Sequence, residues 1–286
     1  MVRPLILVSR ADPASVTIRD VMLEMVTWEE VGAWHGLPVR RAGEFLLVET
    51  EALHLDCDGI DGHLKAAGFD HDVILFPSKH RSESGSPALT VHPIGNWGEA
   101  DFGGKPGRVS PTAPAIMGRI FRRLVAEVAD IKHAATFEAT HHGPYVETAA
   151  AFVEVGTDEA AWRNRDLARR VARAMLACLT PQFGDDAPTL IMVGGGHYAP
   201  RVNDLVKAGK ANFGHILPGY ALTRAAATPS VLLEAIAGTP RCAGYYLDPR
   251  NVEQRPDEIL DFFAGLELGW WTEDDLSGRN TAAGTV

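Results

Sequence analysis

Short apolar runs alternate along the chain with longer stretches in which apolar positions recur every three or four residues. The runs LILVS (5–9), FLLVET (45–50), DVILFPS (72–78) and ALTVHPIGN (88–96) read as the early strands. ATFEAT (135–140), AFVEVG (151–156), TLIMVGGG (189–196) and CAGYYLD (242–248) read as the later ones. Between them, residues 113–132 carry Ile116, Ile120, Leu124 and Val128 at helical spacing, with Pro114 near the start where a missing N–H costs nothing. Residues 158–179 read as a second helix capped by Asp158. Strands alternating with helices predict an α/β sheet. The Gly- and Pro-rich segment 99–114 reads as one long loop, and loops of that length are commonly functional. No linker divides the pattern, so a single domain over 1–274 is expected, with 275–286 as a disordered tail.

Polar clusters fall where the strands end. DVILFPS runs into Lys79, His80, Arg81, Ser82 and Ser84. ALTV runs into His92, Gly95 and Asn96, and ATFEAT into His141 and His142. TLIMV runs into Gly194, Gly195, Gly196, His197 and Arg201. Crevices beyond strand ends are where open α/β sheets bind ligands, so His80, His92, His141, His142, His197 and His215 stand out. His35, His54, His63, His71 and His133 read as surface or satisfied core residues. Successive side chains of a strand face opposite ways. His141 and His142 therefore converge only if the chain turns at Gly143-Pro144; otherwise one packs beneath the sheet and the other faces out.

Glu154 shares a strand face with Phe152, while Ala151, Val153 and Val155 face the other way. An ionised carboxylate there needs a partner, a metal or a proton, unless the strand lies at a solvated edge. Glu138 alternates as an ordinary half-exposed strand residue would. The glycines 194–196 permit close backbone approach and an anion or oxyanion site. As a dinucleotide fingerprint they are weak, lacking the acidic residue that should follow. GxSxG and HExxH are absent, so histidines would have to form a metal site dispersed along the sequence.

The chain has 286 residues, 46% of them hydrophobic, enough for a large core. No apolar run reaches a membrane span, and the start lacks a signal-peptide pattern. The three cysteines, Cys57, Cys178 and Cys242, lie far apart without a CxxC pair, which predicts a reducing, cytoplasmic setting. A net charge of −10 argues against a generic nucleic-acid binder and against DNA as a partner, so any RNA contact must rest on a local site.

The blocks SKHRSESGSPALTVHPIGNWGEADFGG, EATHHGPYVETAAAFVEVGTDEAAW, VGGGHYAPR and GHILPGYAL, together with the opening ILVSRADPAS, resemble the D-aminoacyl-tRNA deacylases of archaea and plants, in the family's order. The resemblance implies a three-layer α/β/α fold with a mixed sheet, similar to phosphorylases and peptidyl-tRNA hydrolases. It implies hydrolysis of the ester joining a D-amino acid to the 3′ end of tRNA, and a zinc cofactor. His80, His92, His141, His142 and His197 would supply imidazoles to the metal. His80, His141, His142 and Glu154 are the catalytic candidates. Gly194, Gly195 and Gly196 would hold an oxyanion or phosphate, and Tyr198 the adenine. Lys79, Arg81, Lys105, Arg108 and Arg201 would hold the acceptor-end backbone. In a metal-free variant, Asn96 would orient water with His141. The expected partner is the acceptor end of D-aminoacyl-tRNA, met by a monomer. A zinc aminopeptidase or amidohydrolase, and a non-catalytic tRNA- or nucleotide-binding module, are the competing readings.

Overall fold

The run PLILVS is buried from end to end, as expected of a strand covered on both faces. It is β1 (Pro4–Ser9), inside the main sheet. The computed structural model describes residues 2–82, 85–223, 228–248, 257–266 and 268–277. After β1 come α1 (Pro13–Met25), β2 (Glu29–Trp34), β3 (Leu37–Ala42), β4 (Phe45–Thr50), α2 (Ile60–Ala66), β5 (Val73–Arg81) and β6 (Ala88–His92). The two-residue strands β7 (Gly95–Asn96) and β8 (Arg108–Val109) precede α3 (Pro114–Glu127), β9 (Ala134–Phe137) and β10 (Ala149–Thr157). Then follow α4 (Glu159–Trp162), α5 (Arg165–Leu176), β11 (Thr189–Val193), α6 (Pro200–Lys207), β12 (Asn212–Leu217) and α7 (Gly219–Thr223). Last come α8 (Pro229–Ala237), β13 (Cys242–Leu247), α9 (Asp257–Ala264), β14 (Gly269–Trp271) and α10 (Glu273–Ser277).

Eight strands form a mixed sheet in the order β2-β3-β4-β1-β5-β10-β6-β9. β4, β1, β5 and β10 run parallel, whereas β6 is antiparallel to β10 and β9 is parallel to β6. One face packs Val8, Leu75, Val91 and Val153 against Ile18 and Met22 of α1, Ile120 and Leu124 of α3, and Val171 of α5. The other packs Leu7, Phe76 and Phe152 against Leu64 of α2. Each such side chain, fully buried, contributes about 1.5–3 kcal/mol. The expected mixed sheet between helices is what the chain forms.

TLIMV and CAGYYL do not join that sheet. As β11 and β13 they build a second, all-parallel sheet, β12-β11-β13-β14. One of its faces adds Leu190, Met192, Phe213 and Ile216 to the main core. The second sheet also shuts the β9 edge. Ala139 N–H donates to His197 O at 2.7 Å, Thr140 N–H to Ile216 O at 3.0 Å, and Phe137 N–H to Asn203 Oδ1 at 2.7 Å.

The expected helix 158–179 is broken in two. Asp158 caps α4, and Asn164 starts α5 by accepting from the N–H groups of Asp166 and Leu167. Asp275 and Ser277, expected in a frayed tail, close helix α10 around a buried Leu276; residues 278–286 lie outside the described ones. No helix among the described residues is long and apolar enough to cross a membrane.

Candidate active site

The antiparallel pairing of β10 with β6, beside the parallel pairing of β10 with β5, sets residues of three strands side by side. Glu154 stands in register with Ser78 of β5 and Thr90 of β6, and Phe152 stands opposite His92. Gly156 stands opposite His80. A Cβ at Gly156 would lie 2.6 Å from His80 Cδ2, so the missing side chain is what lets the imidazole lie over the neighbouring strand. Glu138 directly follows β9, its N–H donating to Val91 O at 3.1 Å.

Glu138 is fully buried at the centre of the cluster. Its Oε1 lies 3.0 Å from His80 Nδ1, and its Oε2 lies 3.7 Å from His141 Nε2 and 3.9 Å from the Nε2 atoms of His92 and His197. Glu154 reaches His80 Nδ1 at 3.4 Å and His92 Nε2 at 3.7 Å. Thr90 Oγ1 donates to Glu154 Oε2 at 3.4 Å. Glu138 looks like a half-exposed strand residue in the alternation of TFEAT, because the cover over β9 comes from the second sheet and its connections, far along the chain.

His141 and His142 converge. His142 adopts φ 45°, the left-handed turn that carries its ring back toward His141, and the ring centroids are 4.3 Å apart. Backbone carbonyls hold three rings by Nδ1: Pro93 O for His92 at 3.0 Å, Ala139 O for His141 at 2.8 Å, and Gly143 O for His142 at 2.7 Å. A carbonyl only accepts, so in each ring Nδ1 carries the hydrogen and Nε2 keeps its lone pair. That is the tautomer a metal-ligating imidazole needs, with the orienting bond already made. His92 Nε2 and both Glu138 oxygens are buried without a hydrogen-bond partner. Three sets of ligand atoms lie within 4.8 Å of one another: His92, His141 and His142; Glu138, His141 and His197; His80, Glu138 and Glu154. Imidazole and carboxylate donors with orphaned atoms fit a zinc ion.

Two buried carboxylates facing one ring cannot both ionise without a cation. Burial, together with the charge of Glu154, holds Glu138 well above the ordinary carboxyl range. Burial opposes ionisation of Glu154 too, but the contact with His80 Nδ1 prevails and holds it below that range. Burial pushes His141 well down, His142 down to about 3 and His197 down to about 4, so these rings stay neutral at physiological pH.

The cluster stands between two cavities. The first, of about 540 Å³, is lined by Lys79, His80, Arg81, Phe152, Glu154 and His197, with Asp12, His54 and Ser78 deeper in the same wall. The second, of about 700 Å³, is lined by Asn96, Trp97, Glu99, Asp101 and Tyr220 among others. His141, His142 and Phe102 line both. Phe102, 67% exposed, sits on the long loop predicted from sequence but was not singled out there. The signal that could have found it is an aromatic residue just ahead of Gly103-Gly104 in a polar loop.

Other expected residues are held in contacts of the fold. None of Gly194, Gly195 and Gly196 lines either cavity. Gly194 N–H is committed to Leu217 O at 2.8 Å, which extends the β11–β12 pairing and removes it as an oxyanion donor. Asn96 Nδ2 donates to Gly103 O at 2.9 Å and so pins the loop. Tyr198 orients His80: its hydroxyl lies 3.2 Å from His80 Nε2 and donates to Ser82 Oγ at 2.9 Å. Arg201 is held by Tyr246, Asp204 and Glu273, and Arg108 by Glu234 and Tyr145. Lys105 Nζ lies over the Tyr145 ring at 4.4 Å. These three cations line neither cavity. His54, expected to be bland, lines the first cavity, yet its Nε2 lies between Ser9 N at 3.1 Å and Leu7 O at 3.0 Å.

His215 lies outside both cavities, buried on β12 with Nδ1 3.2 Å from Thr140 Oγ1. Burial pushes it down to about 3. A histidine depressed in the folded state adds stability above its unfolded value near 6.5, and that stability is lost as pH falls toward 3. Between pH 7 and 5 the wild type should lose about 2 kcal/mol more than His215→Gln, measured by denaturant unfolding at both values. Equal losses would show that His215 takes a proton while folded.

A family model described as D-aminoacyl-tRNA deacylase matches residues 67–270. The D-aminoacyl-tRNA deacylase of Methanococcoides burtonii is 36% identical over 223 residues, covering 76% of this chain and 46% of that protein, so the chain spans about half that relative's length. The protein of the same name from Thermoplasma acidophilum is 33% identical over 270 residues, covering 92% of this chain and 98% of that one. The crystal structure of AF0625, a conserved protein of unknown function, superposes with a TM-score of 0.83 at 31% identity, covering 91% of each chain.

Proposed function

The chain belongs to the D-aminoacyl-tRNA deacylase family, and we propose that it hydrolyses the ester between a D-amino acid and the 3′-terminal ribose of tRNA, freeing both. The observation that carries the reading is the buried pair Glu138 and Glu154, facing His80 at 3.0 and 3.4 Å between two open cavities. Ester hydrolysis needs a base for the attacking water and an acid for the departing ribose oxygen. Carboxylates pushed in opposite directions supply both. Glu154, held ionised, accepts the proton of water; Glu138, buried behind the cavity wall, supplies a proton to the ribose oxygen through the His80 ring, whose Nδ1 lies within reach of both carboxylates. His92, His141 and His142 would hold a zinc ion through Nε2. The chemistry such an ion supplies when bound is Lewis-acid activation of water and of the ester carbonyl.

The direct test is release of D-tyrosine from D-Tyr-tRNA with recovery of tRNA that can be charged again. No release by the purified protein overturns the reading. For the metal, dialysis against a chelator should remove zinc, counted per chain by mass spectrometry, and slow turnover by about a hundredfold or more. Added zinc should restore the rate; a zinc-free protein at full rate contradicts this part. The reading extends to a monomer in the cytoplasm, in line with free cysteines at Cys57, Cys178 and Cys242. Light scattering at micromolar concentration checks the monomer.

A further inference from the structure

The two cavities differ in charge: among the described residues, side-chain cations line the first alone. Lys79 and Arg81 line the first, and the carboxylates there are already engaged. Asp12 Oδ1 accepts from Ala14 N at 2.9 Å and Ser15 N at 3.0 Å. Its Oδ2 accepts from Ser78 Oγ and Lys79 N, both at 3.2 Å. Glu154 faces His80 and His92. The second cavity has no lysine or arginine among its described lining residues and carries the exposed carboxylates of Glu99 and Asp101. Apolar surface is offered there by Trp97, Phe102, Tyr220 and Ala221.

The wall between them is firmly built. Gly107 N–H donates to Gly98 O at 2.7 Å and closes the loop at its neck, while Gly143 N–H donates to Phe102 O at 3.0 Å. A Cβ at Gly103 would lie 2.2 Å from Leu55 O, and one at Gly143 2.2 Å from Gly104 N. The loop is thus seated directly on the turn that follows His142, with Phe102 displayed where the cavities meet.

We propose that the cavities divide the substrate. The first receives the 3′-terminal nucleotide and its phosphate, the second receives the aminoacyl group, and the ester crosses at His141 and His142. The assignment rests on the deacylase reading above. A phosphodiester is favoured beside Lys79 and Arg81 and repelled by Glu99 and Asp101, whereas the α-ammonium of an aminoacyl ester has the opposite preference. Apolar walls suit side chains of varied size.

Two variants and two substrates, D-Ala-tRNA and D-Tyr-tRNA, test it. The double variant Lys79→Gln/Arg81→Gln should raise KM about tenfold for both substrates alike and flatten the salt dependence of binding. Ala221→Leu, which fills the second cavity, should lower kcat/KM about tenfold or more for D-Tyr-tRNA and less than about threefold for D-Ala-tRNA. The assignment is overturned if Ala221→Leu slows both esters equally, or if the double variant is the one that discriminates between them. Calorimetry on the unaltered protein gives a second readout that needs neither variant folding nor turnover. AMP and free D-tyrosine should bind together, and AMP more weakly at high salt; mutual exclusion overturns the division. A wild type inactive on both esters sinks the deacylase reading, while calorimetry still judges the two cavities.

Discussion

Glu138→Gln is expected to lower kcat for D-tyrosine release by about 10²- to 10⁴-fold while leaving the fold intact. The carboxyl is fully buried and held above its ordinary range by burial and by the charge of Glu154. A neutral amide of the same shape therefore replaces it without adding a buried charge. What disappears is the capacity to give up a proton, or to stand as a negative charge among the Nε2 atoms of His92, His141 and His197. Stopped-quench kinetics beside a thermal melt separate the two effects. An unchanged melt with a collapsed kcat supports the assignment. Near-normal kcat with an unchanged melt removes Glu138 from the chemistry.

The second large effect is expected at Gly156. The substitution Gly156→Ala places a methyl group 2.6 Å from His80 Cδ2 and 3.2 Å from both His80 Cβ and Ala88 O. The strand cannot yield easily, because Gly156 is paired in the register of β5 and β10. The ring must then swing away from the two carboxylates. Overpacking of this kind costs about 1–3 kcal/mol of stability. Displacing a reacting group by an ångström should cost about 10- to 100-fold in kcat/KM. A double-mutant cycle shows whether His80 is the cause. In a His80→Ala background the clash with the ring is gone, so Gly156→Ala should add little further loss of activity. Additive losses would place the effect of Gly156 elsewhere.

Much of the fold could be read from the chain because its main strands are apolar on both faces. PLILVS, DVILFPS and AFVEVG announce a covered sheet whatever surrounds them, and Glu154 stands out inside the last of these. The hairpin of β2 and β3 escaped because EEVGAW is exposed up to its last residue and offers no apolar run. NFGHIL also passed unread as strand β12, and its histidine proved to be a core residue rather than a ligand. Glu138 was missed for a different reason. Alternation in TFEAT describes a strand with one open face, and the residues that close it, His197, Asn203 and Ile216, come from the second sheet and the loop and helix that follow β11. Local pattern records what a strand is, not what is laid over it. The triple glycine misled in the opposite sense. Gly194 and Gly195 have φ of 92° and 83° and do need glycine's freedom. That freedom carries the chain out of β11 in a turn that lines neither cavity.

Matched time courses on D-tyrosyl- and L-tyrosyl-tRNA, at one enzyme concentration and one ionic strength, test the central claim most directly. The account predicts rapid release from the D ester, at least about a hundredfold faster than from the L ester, a gap within reach of a site that must seat one configuration across two cavities. Equal rates on both esters, or none above the spontaneous rate on either, would contradict it.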